Sequence, residues 1–414
     1  MYRFLNDNGS SVASLMIAIG ISVIAVSAQA SPWSSPAQPP AGCQSTPSGA
    51  PSLGLNAAGA WVIAAYAQTG SGLEAFSVSA CTSNDGVNWS GPLTIGQGTS
   101  PTVAIAPDGR AVAVWQGGPA TAPNIEASIR PAGGNWGTPV VVSTIAGHPL
   151  IGMDGTGNAI AVWAGTTLAT PVATASLPVG GTWTAVKTLV AQGGGIGLTT
   201  NAVGGAIIGW KTHSGQVQAV SGTVLGGFGA PVTLGSGTRN GLPAVQVALN
   251  HAGAASFAWE ANSASNNVVT RSTGGTWSDV TLIPGPNVEG IGTAIDGAGN
   301  AVVAFAVRQS TGTLTYVSRH PSGGTWGAPT LLSSPDDKGE VGVAGDDAGT
   351  FVVFWNDAAG NVEAVTAASG VSFSPAAKSS PGSSVGAAPS RRLLVVPGKA
   401  ALWTAAGISI ESVN

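Results

Sequence analysis

Short apolar runs recur along this chain, and each is closed by glycine-rich turn chemistry. Residues 101–143 show the pattern well. PTVAIA is a first apolar run, and Pro107-Asp108-Gly109 then turns the chain. AVAVW is a second, unbroken apolar run of the kind a strand buried on both faces shows. After a polar loop, NIEASIR alternates apolar and polar residues, as a half-exposed strand does. Gly133-Gly134 turns the chain again and Trp136 opens a fourth strand. The pattern predicts four antiparallel strands per unit, with hydrophobicity falling from the innermost to the outermost.

This unit repeats. One aromatic series closes the copies at Trp89, Trp136, Trp183, Phe228, Trp277, Trp326 and Phe373. A second ends the apolar second strand at Trp115, Trp163, Trp210, Trp259, Phe305, Trp355 and Trp403. Both recur at about 45–50 residues, the period of an all-β propeller built from four-stranded blades. Blade starts are expected near residues 51, 101, 149, 195, 243, 289, 339 and 387. The last copy supplies only three strands, LLVV, ALWTA and GISIESV. Its fourth is expected from residues 32–37, because PWSSPA resembles NWSGPL, NWGTPV and TWGAPT. The expected architecture is eight blades, the last shared between the two ends. The alternative is seven, with the C-terminal strands packed elsewhere.

Both aromatic series are expected to serve packing, since one blade cannot bury its own faces and the wedge between neighbours must be filled. Residues 1–30 read as a leader rather than as part of the fold. Arg3 precedes the apolar run at residues 12–26, and Ala28-Gln29-Ala30 has the small residues of a cleavage site. That run falls short of the ~20 residues a spanning helix needs. The expectation is export with cleavage after Ala30, to the periplasm or the medium of a bacterium, and no stable membrane insertion afterwards. Two cysteines, Cys43 and Cys81, are expected to pair in an oxidising compartment.

Composition narrows the function classes. Charged residues make up 8% of the chain and the formal net charge is -4, so the basic footprint of a nucleic-acid binder is absent. With 62 Gly and 27 Pro the chain is too rich in turn formers for a helical protein. The four His are scattered, which argues against zinc. Asp108, Asp154, Asp296 and Asp346-Asp347 fall in the first turn of their blades and read as turn chemistry rather than calcium ligands. Neither a phosphate loop, a dinucleotide fingerprint nor a GxSxG elbow occurs, and no cofactor is expected.

Ser83-Asn84-Asp85-Gly86-Val87-Asn88-Trp89 resembles the Asp-box of the bacterial neuraminidase repeat. The resemblance implies a divergent, sialidase-like propeller in which Ser83, Asp85, Gly86 and Trp89 brace the turn between third and fourth strands. Only this copy keeps the Asp; the others shorten it to GGNW, GGTW or GGF. Sialidase chemistry, as that family runs it, needs three Arg, a Tyr–Glu pair and an Asp. Beyond residue 30 the chain has only Tyr66, at a position that reads as packing, and Tyr316, expected on a third strand away from the pore. The fucose-lectin propellers are a second comparison, with Arg, Glu and Trp in each blade. Glu126, Arg130 and Trp136 fit, and Arg271 and Arg319 fall near the Arg130 position, but other blades break the series.

Loops joining second to third strands, and blade to blade, carry function in such scaffolds. Here they are expected to hold much of the scarce charge. Lys211, His213, Arg239, Glu260 and Arg308 are expected on one side of one rim, where with the pore mouth they bind a polar ligand. The sequence therefore points to an exported, monomeric, non-catalytic binding module for a glycan or a protein partner. The alternatives are a sialidase-like glycoside hydrolase and a structural part of an envelope assembly.

Overall fold

The computed structural model describes residues 37–44, 51–68, 76–237, 245–262, 265–284, 288–310, 312–333, 341–357, 361–373, 379–383, 393–396, 399–404 and 407–412. Residues Pro32–Asn414 form one compact unit. Its described residues are strands and turns apart from one short 3-10 turn at Ala41–Cys43. Among the described residues there are seven sheets of four antiparallel strands and one of three. The second sheet is typical, with strands Thr99–Ile105, Ala111–Gly117, Asn124–Arg130 and Val140–Ser143 in chain order. The three-stranded sheet comprises Leu393–Val396, Lys399–Thr404 and Gly407–Ser412. First strands pack against one another in chain order, and Leu393–Val396 packs against Ser52–Leu55. This is the architecture of a β-propeller.

The second-strand aromatics fill the wedges. Trp115 is fully buried among Val62, Ala64, Val78 and Ile95 of the preceding sheet. Trp163 sits likewise on Val112, Val114 and Ile125. Small residues admit the rings: a Cβ on Gly96 would collide with Trp115, and one on Gly209 with Phe257. The closing aromatics pack at the edges of the same clusters, Trp136 on the first wedge and Trp183 on the next.

One local expectation changes. Trp89 opens its strand, Trp89–Gln97, but Trp136 lies ahead of Val140–Ser143 rather than within it. Pro139, Pro231 and Pro329 each stand immediately before the fourth strand of their sheet. Proline has no N–H to give to a ladder, so regular pairing begins after it.

The first turns share a device. In six of the first seven sheets an Asn or Asp begins the turn, and its Oδ1 accepts the N–H four residues on: Asn56, Asp154, Asn201, Asn250, Asp296 and Asp346. The same turns stitch each sheet to the next. Where the residue is Asn, its Nδ2 donates across the junction: Asn56 to the Ala106 carbonyl at 2.8 Å, Asn201 to Asn250 at 2.9 Å, and Asn250 to Asp296 at 2.8 Å. Asp has no N–H to offer. In the third and sixth sheets the following glycine's backbone donates instead, Gly155 to Ala202 and Gly297 to Asp347. In the second sheet, where Ala106 holds the position, the Arg110 guanidinium donates to the Gly157 carbonyl.

Cys43 and Cys81 form a disulfide with a Cα–Cα distance of 6.1 Å. Cys81 lies on the third strand of the first sheet, Phe76–Ser83, so the bridge fixes residues just ahead of the first blade against it. No helix among the described residues is long and apolar enough to cross a membrane. The bridge fits a protein that matures outside the reducing cytosol.

Candidate functional site

A cavity of about 730 Å³ runs along the first strands of the first seven sheets. Its wall is built largely from small, β-branched and leucine residues, because short first strands that converge leave room for little else. Thr102, Thr199, Thr200, Thr293 and Gln246 supply polar groups, and His148 is the one titratable residue among those lining it. Thr200 donates its hydroxyl to the Met153 carbonyl and Thr293 to Val302. Thr102 is 4% exposed and its Oγ1 has no hydrogen-bond partner. Among the described lining residues there is no Arg, Lys, Tyr or carboxylate.

The predicted rim residues separate. Lys211 was expected on a loop and is instead in the strand Gly205–Thr212, fully buried. Second strands run one to four residues past the aromatic, so the residue after Trp210 is still pleated and alternates inward. Glu260, in Ala255–Asn262, is half-buried for the same reason. Arg308 lies in Ala301–Gln309 and is exposed, and His213 is exposed in the turn beyond its strand. Arg239 lies outside the described residues.

Lys211 and Glu260 are the two that feel each other. Burial lowers the Lys211 amine from its ordinary value, and the Glu260 carboxylate opposes that shift. Burial raises the Glu260 carboxyl, and the Lys211 ammonium opposes that in turn. The Lys211 Nζ has no hydrogen-bond partner. Nearby, Asn266 pairs directly with Glu260 across the fifth sheet, and Asn267 with Trp259. Both Asn are buried and carry unpartnered amide atoms. In the sequence, Asn266-Asn267 in a third strand stands out against Ile125-Glu126 in the second sheet and Val362-Glu363 in the seventh.

Other candidates have local work. The Asp85 carboxylate accepts the backbone N–H of Val87 and Asn88 and the Asn88 side chain, while Ser83 Oγ accepts from Gly86. These bonds, those of Asn88 foremost, hold the Asp85 carboxyl far below the usual carboxylate range. Trp89 Nε1 closes the turn on the Gly86 carbonyl at 3.1 Å. Arg130 and Arg271 donate to the first-turn carbonyls of Gly109 and Gly253, and Arg319 lies 4.6 Å over the Phe373 ring. Tyr66 packs on Phe76 and Tyr316 stacks on Phe305. Among the described residues no group of three or more His, Cys, Asp or Glu gathers that could hold a metal ion.

No protein-family model matches the chain, and no curated protein sequence does. Solved structures do resemble it. A lectin from Burkholderia pseudomallei is 13% identical with a TM-score of 0.55, over 80% of this chain and 98% of that one. A prolyl endopeptidase is 8% identical with a TM-score of 0.50, over 88% of this chain and 55% of that one. An ulvan lyase, a polysaccharide lyase, is 10% identical with a TM-score of 0.48, over 92% of this chain and 93% of that one. At these identities the likeness is one of fold alone.

Proposed function

We propose that this protein is an exported, non-catalytic propeller that binds carbohydrate at its central channel and the adjoining rim. The observation that carries this reading is the channel wall. A cavity of about 730 Å³ is within the size range of small-ligand sites. Its lining mixes hydroxyls with apolar surface and holds no carboxylate, which suits a neutral polyol better than an ion. Glycoside hydrolysis by the usual route needs two carboxylates across one bond, and the described lining offers none. The shared fold of the Burkholderia lectin is in keeping with a binding role, as an analogy of scaffold. In this reading His213, Arg239 and Arg308 contribute rim contacts, and Ser83, Asp85, Gly86 and Trp89 brace a turn without touching ligand.

The same proposal includes eight blades and a cleaved leader. The three-stranded sheet, its packing onto Ser52–Leu55 and the likeness of PWSSPA to the other fourth strands support the count. The apolar run at residues 12–26, Ala28-Gln29-Ala30 and the Cys43–Cys81 bridge support export.

The test is a glycan array of residues 31–414, with fluorogenic sialosides and aryl glycosides assayed in parallel. Binding without turnover is the expected result. Turnover of any glycoside overturns the non-catalytic reading, and silence on both overturns carbohydrate recognition.

A further inference from the structure

We infer that the junction between the three-stranded sheet and the first sheet is a redox-controlled seam in the ring. A strap at residues 39–44, pinned by the Cys43–Cys81 bridge, takes the place of the aromatic that fills the wedges between the first seven sheets. A dithiol reductant that cleaves the bridge loosens this junction ahead of the others. This rests on the eight-blade closure proposed above and is independent of what the channel binds.

The first sheet breaks the wedge pattern. Counting nine residues on from the start of each first turn leads from Ala106 to Trp115, Asp154 to Trp163, Asn201 to Trp210, Asn250 to Trp259, Asp296 to Phe305 and Asp346 to Trp355. From Asn56 the same count leads to Ala65. In the second and fifth sheets the ring also ties its sheet to the fourth strand before it. Trp115 Nε1 donates to the Gln97 carbonyl and Trp259 Nε1 to the Ser236 carbonyl, both at 2.9 Å. Ala65 has neither the volume nor the donor for this. The first sheet carries its bulk at the other end of the strand, with Trp61 where the next five sheets have Ala111, Ala159, Ala206, Ala255 and Ala301. Trp61 is buried and its Nε1 has no hydrogen-bond partner, so no such tie is made there.

Strand pairing shows which side of the first sheet is affected. Val62, Ala64, Val78 and Ala80 pack with Trp115 of the second sheet. Leu53, Ile63 and Cys81 are partners across the ladders, so they share the opposite face, with Trp61 and Ala65. All five are buried. Ser52–Leu55 lies between Thr99–Ile105 and Leu393–Val396, so this face is turned to the three-stranded sheet.

The strap lies on the first sheet at Cys81. It packs on the second, third and fourth strands, with Cys43 fully buried. The fit is close, since a Cβ on Gly42 would collide with Pro92. The strap's hydrogen bonds are internal: the Cys43 N–H donates to the Pro40 carbonyl at 2.8 Å, and Gln44 Nε2 to the Pro39 carbonyl at 2.7 Å. Pro39 and Pro40 have no N–H to give to a ladder. The bridge is therefore the strap's strong tie to the sheet, beyond the packing of a few small side chains. Reduction breaks the S–S bond and leaves thiols on Cys43 and Cys81, while the reductant's own two thiols close into a disulfide. The freed strap leaves this wedge without ring or plug. Ser52 and Leu53 line the channel, so a loosened seam reaches the channel wall.

The test is hydrogen–deuterium exchange of residues 31–414, well below the unfolding transition. Oxidised protein is compared with protein reduced by dithiothreitol and with the Cys43→Ala/Cys81→Ala double variant. Gly42→Val, which pushes the strap off Pro92 with the bridge intact, tests the packing alone. Exchange in Ser52–Leu55 and Leu393–Val396 is expected to be about tenfold faster on reduction and in the double variant, with a smaller rise in Gly42→Val. Gly193–Thr200 is expected to stay unchanged throughout. An equal rise in every sheet overturns the inference, because the bridge then stabilises the whole fold and no seam exists. Unchanged exchange in Ser52–Leu55, with both thiols shown free by alkylation, overturns it as well. A rise on reduction with none in Gly42→Val removes the strap's part in filling the wedge. If Leu393–Val396 exchanges as freely as an unfolded segment in the oxidised protein, the ring is not closed there, and the eight-blade reading falls with the inference.

Discussion

Asn250 does two things with one amide. Its Oδ1 closes its own turn on the Ala254 N–H, and its Nδ2 crosses to the Asp296 carbonyl of the next sheet. Asn250→Asp keeps the first bond and loses the second, leaving a buried carbonyl unmet beside a new charge. Urea unfolding of this variant is expected to show a loss of about 1–3 kcal/mol. Lys211 gives a prediction of the opposite kind. Its amine titrates lower in the folded chain than the ~10.4 of an unfolded one, so between those two values the unfolded chain binds more protons. Stability contributed at this site therefore rises with pH across that window. Comparing unfolding free energies from neutral pH to about pH 10, Lys211→Met is expected to flatten the wild type's alkaline rise. A slope unchanged by the substitution would mean that the amine keeps its ordinary value. At this scale the sequence was readable where chemistry is local: Asp154 and Asp296 are turn residues, as their neighbours imply. Lys211 was misplaced because polarity after an aromatic looks like a strand end, while the pleat continues to Thr212.

At the scale of the strand and its sheet, the period of the aromatics is legible because every wedge repeats one packing problem. The second-strand tryptophans are buried, as that problem requires. What periodicity does not reveal is how closely neighbouring backbones approach. Gly209 stands against the Phe257 ring of the next sheet, and an added methyl has nowhere to go. Gly209→Ala is expected to cost about 1–3 kcal/mol by overpacking. A paired Phe257→Leu should recover part of that cost, and a lack of recovery in the double variant would show that the strain lies elsewhere. The fourth strands were legible in number but not in extent, since the prolines ahead of them delay pairing until Val140 or Thr330.

For the whole molecule, ring closure is the open quantity. The repeat made an all-β propeller legible without any relative in sequence, because seven copies of one pattern leave few alternative packings. The number of blades was less legible, since it turns on one segment, residues 32–37, most of which lies outside the described residues. Deleting residues 32–37 is expected to speed amide exchange in Gly407–Ser412 while leaving the strand Ala159–Ala164 protected. Equal exchange in both proteins would remove that segment from the ring. In a closed ring every sheet has two neighbours, so on the eight-blade proposal a weakened stitch such as Asn250→Asp should be felt beyond its own pair of sheets.

The bridge between Cys43 and Cys81 closes a loop with a sequence separation of 38. A peptide bond cut anywhere inside that loop leaves both fragments joined through sulfur. Such a nick is invisible on a non-reducing gel and appears, as a short N-terminal piece and a slightly smaller main band, only after a thiol is added. Preparations judged intact without reductant can therefore be clipped molecules whose fragments remain covalently attached.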